Sequence, residues 1–595
     1  MIRIPQRALA RIITAREQGH DPDVEEAERR AAALRIAKTK ERRRAETRLV
    51  LVAAVIGLAF GGVSLRMAGT TFSAPDGPAR LASGEALRGA RADIVDREGR
   101  VLATTIPAAS VYVETRQMVD KAAVARGLAA IFPEHTAEEL LARFEGRGNF
   151  HWIRKRISPE QRQAVHDLGQ PGVFFGERMA RVYPSGPEMG HILGGVQDER
   201  VSAHAAELKG MAGLELAFDD RLADPAQLDA PLALSIDLQL QTAMREVLQA
   251  ERARLTAKGA VGVLMEAETG EVLSMVSLPD FDPNDRPDGR PGADAVLFNR
   301  AAQGVYELGS TFKPFAAALA MEEGVATPET MIDTGTPLRW GRFPIRDIHR
   351  MDPEMSLADV IVQSSNVGTA RLAQATGTPA QQRFLGALGL LSPTGLELPE
   401  ARTARPLLPP RWSELSTMTI SYGHGISVSP LHLAAAYAPF ANGGYMVEPT
   451  LVAGEGGKTQ RVMSEDTARD VLEMMRRVVA EEAGTANFAH VPGYEIAGKT
   501  GSADKPAPGG YDRTKVIATF AGVFPASDPR YVLVITLDEP TFVRGDLVKR
   551  TAGWTAAPAS ARVIRRLAPI LDMRPMTPTP NRGSPPSLIL TALEP

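Results

Sequence analysis

The sequence predicts an α+β protein in which an antiparallel sheet flanked by helices follows a smaller mixed α/β module and a single N-terminal transmembrane helix. Three observations carry that expectation. Hairpin signals recur without regular βα alternation, capped helices lie between them, and an uncharged apolar run near the start is preceded by a basic cluster. With 595 residues and 44% hydrophobic content the chain supports two or three folded cores. Its net charge of −3 gives no global reason to expect nucleic acid as a partner. Cysteine is absent, which excludes disulfides, thiolate metal sites and a cysteine nucleophile. His151 and His191 lack ligand spacing and read as structural, so neither metal nor cofactor is expected.

Residues 1–48 are polar and highly charged, ending in the basic run 38–48. Leu49 to Leu65 carries no charge, and roughly 17 residues at 1.5 Å each make a helix of about 26 Å, near the short end of what spans a bilayer. The preceding arginines and lysines hold the N-terminus in the cytoplasm and send the rest outward, so 49–67 reads as a retained anchor in the inner membrane. The leader is too long for a cleaved signal peptide. Residues 68–89 read as a linker rich in Gly, Ala, Pro and Ser.

A module at 90–230 opens with a hairpin, Ala92 to Asp96 turning at Arg97-Glu98-Gly99-Arg100 into Val101 to Thr104. Capping boxes at Thr136/Glu139 and Ser158/Gln161 each start a helix. A second domain, 231–571, begins with a strand over 232–236 and an amphipathic helix opened by Asp237. A hairpin follows, 259–267 with 271–277 around Glu268-Thr269-Gly270, and then a helix from Ser310 that Gly324 stops. N-caps at Ser356, Ser429 and Ser464 announce further helices, β-rich runs occupy 516–524 and 531–537, and a last helix covers 556–571. The Pro-rich segment 572–595 is expected to be disordered.

The chemistry is concentrated at Gly309-Ser310-Thr311-Phe312-Lys313, where a hydroxyl precedes a lysine by three residues. On a helix that spacing puts both groups on one face, with the amine in reach of the serine proton, an arrangement suited to acyl transfer. Alone, S-x-x-K is a chance pattern, and a surface serine beside a solvated lysine explains it. Ser364-Ser365-Asn366 and Lys499-Thr500-Gly501 follow it in the order found in penicillin-binding proteins and class A β-lactamases, which changes that reading. For Lys313 to take the Ser310 proton it must be neutral, and burial together with a second cation, Lys499, lowers its pKa. Ser364 is placed to relay a proton to a leaving amine and Asn366 to hydrogen-bond a substrate amide. Lys499, Thr500 and Ser502 suit a strand edge that binds a substrate carboxylate, Gly501 admits close approach, and the N–H groups of Ser310 and Ser502 suit an oxyanion hole.

With these motifs the chain resembles the class B penicillin-binding proteins, and within them the division-specific branch. The match extends to Arg91 through Gly99, Arg181-Val182-Tyr183-Pro184, Gly213-Leu214-Glu215, Ala301 through Gly309, Tyr422-Gly423-His424-Gly425 through Pro430, and Ala497 through Ala503. The resemblance implies a non-catalytic pedestal of the dimerisation type at 90–230 and a transpeptidase domain at 231–571 facing the periplasm. It implies that Ser310 is acylated by peptidoglycan stem peptides ending in D-Ala-D-Ala, that β-lactams acylate the same serine, and that the partners include an FtsW-type glycosyltransferase and other division proteins. Tyr422-Gly423-His424-Gly425 favours the division type over elongation-type relatives. His424 is read as a core or loop residue rather than a cleft residue.

Three other readings stand beside this one. Gly493 through Thr500 satisfies the P-loop spacing G-x-x-x-x-G-K-T, but 488–492 makes a poor strand and 505–510 forbids an immediate helix. Hydrolysis, as in a β-lactamase or D,D-carboxypeptidase, shares the same acyl-enzyme; the anchor, the large pedestal and the lack of an E-x-x-x-N segment after Ser364 speak against it. A scaffold or β-lactam sensor with secondary catalysis is the third.

Overall fold

The computed structural model describes residues 90–200, 206–341 and 343–576, with isolated positions before residue 62. The expected membrane anchor at 49–67 lies outside the described residues except for isolated positions, and so does 577–595. Among the described residues no helix is long and apolar enough to cross a membrane.

The first hairpin forms where the turn residues place it, β1 (Ile94–Val95) pairing antiparallel with β2 (Val101–Glu114). Asp96 closes the turn, its Oδ1 accepting from the Glu98 and Arg100 N–H groups at 3.0 and 2.8 Å. Helices α1 (Lys121–Ile131), α2 (Ala137–Glu145) and α3 (Pro159–Asp167) alternate with β3 (Phe150–Ile157) and β4 (Val173–Val182), and both strands pair with β2. The two capping boxes are formed as expected at Thr136 and Ser158. Helix α1 was not anticipated: Asp120 caps it, but Ala123 stands where a box needs Glu or Gln, so the local signal is missing. Apolar residues at strand period and helix period meet in one core of Val111, Val113, Val124, Leu128, Leu140 and Phe144.

Strands β5 (Gly195–Arg200) and β6 (Ala206–Ala212) form a ribbon that leads into α4 (Gly213–Ala217). Here the three family stretches of the module converge. Glu215 is fully buried and accepts from Arg91 Nε at 2.9 Å and Arg181 Nε at 2.6 Å, while Asp219 takes Arg91 Nη1 at 2.6 Å. Tyr183 OH donates to Glu215 at 3.4 Å, and burial pushes that phenol well above its ordinary pKa. The expected strand 232–236 is shorter, β7 (Leu232–Ala233), because after pairing in parallel with β1 the chain turns to bond the 450–452 segment.

The second region runs through α5 (Leu238–Arg254), β8 (Gly259–Glu266), β9 (Val272–Leu278), α6 (Lys313–Glu322), α7 (Leu357–Gln363), α8 (Asn366–Thr376), α9 (Pro430–Tyr437) and α10 (Glu465–Ala480). It closes with β10 (Ala497–Ala507), β11 (Gly510–Phe524), β12 (Tyr531–Asp538) and α11 (Ala556–Leu567). The sheet order is β10-β11-β12-β8-β9, antiparallel throughout, so β10 is an edge. Strands β8 and β12 are buried along nearly their whole length, as continuous apolar runs covered on both faces must be. Helices α5 and α11, from opposite ends of this region, lie together against the sheet, and α9 packs on β8 and β12. Lys499 lies inside β10, paired with Ala521, rather than in a strand-to-helix loop, which removes the structural basis of a P-loop. Met576 N–H donates to the Gly493 carbonyl at 2.8 Å, which seats the start of the expected disordered tail on the body.

The Glu215 cluster generates a stability prediction. Removing its one shared carboxylate leaves two buried guanidinium groups, so Glu215→Ala is expected to destabilise the pedestal by about 3–5 kcal/mol, read from its urea transition. Replacing Arg91, Arg181 and Glu215 together by Met, Met and Leu is expected to recover most of that loss.

Candidate active site

Ser310 lies in a 3₁₀ turn, Gly309–Phe312, and the α-helix proper begins at Lys313 rather than at Ser310. Pro314 falls in its first turn, where its missing N–H has no helical partner to lose. The turn is anchored from below: Tyr437 OH donates to the Thr311 carbonyl at 2.7 Å, and Phe312, Phe315, Tyr437 and Phe440 pack edge-to-face and stacked. From the side it meets bare backbone. A Cβ on Gly501 would stand 2.0 Å from the Leu308 carbonyl oxygen, and one on Gly423 2.1 Å from that of Gly309. Gly309 itself has φ +58°, and a Cβ there would be 2.9 Å from Ser502 O. Segments 309–312, 422–425 and 501–502 therefore touch at van der Waals distance around Ser310.

Lys313 is fully buried, and its Nζ donates to Ser364 O at 2.5 Å and Ser364 Oγ at 3.0 Å. Among the described residues no hydrogen bond joins it to Ser310 Oγ, and both of its hydrogen bonds go to the second motif. Burial pushes the amine well below its ordinary pKa, the Lys499 charge lowers it further, and Asp347 acts in the opposite sense. Ser364 reaches this position because it ends α7 in the left-handed region, φ 67° and ψ 48°, a conformation costing about 1–2 kcal/mol for a residue with a side chain.

Asp347, which no local motif marks, fixes the second motif. Its carboxylate accepts from Ser365 Oγ at 2.9 Å, Val367 N at 3.2 Å and Asn366 N, capping α8 from a distant loop. Asn366 then directs its Nδ2 to the Arg346 carbonyl at 3.1 Å. Capping by a residue 18 to 20 positions away leaves no local signature, which is why it was missed.

Lys499 is also fully buried; Nζ donates to Thr485 Oγ1 at 3.3 Å and Thr500 O at 3.2 Å, and burial lowers its pKa to about 7. Lys313 titrates in the field of this second amine, whose charge adds to the effect of burial in lowering its pKa. Thr500 Oγ1 bonds Thr485 Oγ1 at 3.0 Å, a partner the sequence did not reveal. Ser502 Oγ accepts from Ala552 N at 2.9 Å. All eight expected residues thus fall on three adjoining elements: Ser310 and Lys313 on the turn and α6, Ser364 and Asn366 at the α7–α8 junction, and Lys499 to Ser502 on the β10 edge.

A further group borders Ser310. Glu307 accepts from His424 Nδ1 at 2.7 Å, Gly425 N at 2.9 Å and Tyr511 OH at 2.9 Å, joining the turn, the 422–425 loop and the tip of the β10–β11 hairpin. His424 stands in a loop, with its side chain 40% exposed and held by Glu307 close to the 309–312 turn.

With the geometry in place, comparison with known proteins gives the lineage. Residues 260–564 match the penicillin-binding protein transpeptidase domain, and residues 86–224 the penicillin-binding protein dimerisation domain. This chain belongs to the penicillin-binding protein transpeptidases. It is 37% identical over 543 residues to a protein of Caulobacter vibrioides named probable peptidoglycan D,D-transpeptidase FtsI, covering 89% of each chain. To FtsI of Escherichia coli it is 32% identical, covering 76% of this chain and 79% of that one. Among solved structures, the transpeptidase domain of Burkholderia pseudomallei penicillin-binding protein 3 matches at 31% identity with a TM-score of 0.51, covering 58% of this chain and 98% of that one. Penicillin-binding protein 3 of Mycobacterium tuberculosis, solved with aztreonam, matches at 26% identity with a TM-score of 0.61, covering 82% and 98%.

Two outcomes are expected of this transpeptidase-family site. The hydrogen bond to Glu307, aided by its charge and opposed by burial, raises the His424 pKa, whereas Glu307 is lowered on balance although burial opposes that. The stabilisation from His424 is therefore complete below its unfolded pKa, about 6.5, and lost as pH rises through the higher folded value; that from Glu307 is present above about 4.5 and lost as pH falls through its lower folded value. An NMR titration of His424 should show a midpoint above about 6.5 that drops below it in Glu307→Gln, where burial remains and the carboxylate does not. Separately, Gly501→Ala should slow penicillin acylation by about 10-fold or more, because its Cβ must displace the Leu308 carbonyl and with it the turn.

Proposed function

We infer that this chain is a peptidoglycan D,D-transpeptidase: a serine acyl-transferase that cross-links stem peptides ending in D-Ala-D-Ala during septal wall synthesis and is acylated by β-lactams. The observation that carries this reading is a buried, carboxylate-free amine, Lys313 Nζ, three residues after a half-buried serine in a site whose other wall is the β10 edge. In the proposed reaction the Ser310 Oγ–H bond breaks as Oγ bonds the penultimate D-Ala carbonyl carbon, and the proton goes to Lys313. Ser364 Oγ, already bonded to that amine, carries the proton to the departing D-Ala nitrogen as the peptide C–N bond breaks. An amine of a second stem peptide then attacks the ester: its nitrogen bonds the acyl carbon, the bond from that carbon to Ser310 Oγ breaks, and the amine proton passes to Ser310 Oγ through Lys313. Asn366 holds the donor amide, Lys499, Thr500 and Ser502 take its terminal carboxylate, Gly501 admits the strand, and the Ser310 and Ser502 N–H groups face the developing oxyanion, each worth about 10²–10³-fold in rate.

The finer features rest on the sequence. The apolar run 49–67 serves as a single-pass anchor with the N-terminus in the cytoplasm and the domains at 90–230 and 231–571 in the periplasm, relatives named FtsI support a division role, and the resemblance carried by the sequence motifs implies an FtsW-type glycosyltransferase as partner. Mass spectrometry after incubation with a penicillin tests the core of this reading. An adduct on Ser310 is expected, absent in Ser310→Ala, with acylation slowed about 10²- to 10⁴-fold in Lys313→Met. An adduct on another residue, or turnover of bound penicillin within seconds, would overturn it.

A further inference from the structure

We propose that the pedestal carries a docking cleft for an acidic, extended segment of a partner protein, set between an interruption in the edge of β2 and the corner where β3 passes into α3. This proposal stands apart from the catalytic reading. A cavity of about 540 Å³ lies there, lined by Ile106, Pro107, Arg154, Arg156, Ile157 and Arg162 among others.

The sheet itself leaves the opening. β2 pairs with β4 without a break from Thr104 to Val113, but along its other edge β1 ends opposite Ala103 and β3 begins opposite Ala109. Among the described residues, 104–108 therefore have no strand partner on that side. Pro107 sits in the gap, and its missing N–H blunts the edge against pairing with another copy of itself. Ile106, in mid-strand, is 41% exposed, although Leu102, Ala103 and Val111 of the same strand are buried.

Charge selects the occupant. Three guanidinium groups line the cavity and no acidic residue does. Two are held by stacking, Arg162 5.5 Å from the Phe175 ring centroid and Arg154 5.8 Å from that of Phe132, with Arg154 also paired to Glu134. Among the described residues Arg156 has no carboxylate partner. At the start of α3, Pro159 has no N–H, and the Ser158–Gln161 box uses those of Ser158 and Gln161. An apolar floor under a rim of oriented guanidiniums fits a chain with apolar and acidic residues in alternation. In an extended segment, period 2 sends one set to Ile106 and Ile157 and the other to the arginines.

The test uses the full-length protein in detergent and a fluorescein-labelled peptide of alternating valine and glutamate. Binding is expected, weakening with salt, and Arg156→Glu with Arg162→Glu should reduce it by about 10-fold or more and shift preference to a valine–lysine peptide. Penicillin acylation, the control for folding, should stay within about twofold. If that variant loses acylation, Arg156→Gln with Arg162→Gln replaces it, with the same loss of peptide binding expected. The proposal is overturned if the peptide does not bind, if binding survives these substitutions, or if phosphatidylglycerol vesicles displace the peptide, which would make this a lipid site.

Discussion

The site depends on one buried amine. Lys313 has no solvent and no carboxylate contact, and its hydrogen bonds run to the carbonyl and hydroxyl of Ser364. An ammonium in such a place is strongly disfavoured, and a neighbouring ammonium at Lys499 disfavours it further. The architecture supplies both conditions. The sheet edge delivers Lys499, a left-handed residue delivers Ser364, and apolar packing under α6 removes water from below.

Precision around Ser310 comes from backbone contact more than from side chains. Glycines at 309, 423 and 501 let three segments approach to distances that any Cβ would prevent. Glu307 then ties the turn, the 422–425 loop and the hairpin tip with one carboxylate. Asp347 does the same for the α7–α8 junction. Two acidic residues outside the catalytic motifs thus hold the motif-bearing segments in register, and buried or half-buried hydrogen bonds to charged groups are strong enough to do so.

The pedestal follows another logic. In its family-specific stretches Arg91, Arg181, Tyr183 and Glu215 form a buried polar knot that ties the start of β1 and the end of β4 to the ribbon and α4. The same module leaves one edge of its central strand without a strand partner over a few residues, next to Arg156, which has no carboxylate partner among the described residues. Internal rigidity and an unfilled edge together suit a module that holds a catalytic domain and meets other chains.

Much of this was legible in the residues themselves. Turn chemistry at Arg97 to Arg100 and Glu268 to Gly270 set both hairpins, caps at Thr136, Ser158, Asp237, Ser356, Ser429 and Ser464 set helix starts, and three short motifs marked the groups that the fold brings together, because each of these signals is local in sequence. Helix α1 escaped because its cap lacks the reciprocal partner, and the helix expected from Ser310 begins three residues later because the preceding turn is 3₁₀. What only the tertiary structure decided was which groups meet: that Lys313 bonds Ser364 rather than Ser310, and that Asp347, Thr485 and Glu307 orient the motifs. Those pairings join residues 14 to 204 positions apart, and nothing in a linear pattern specifies them, since they arise when separate elements are pressed together by burial.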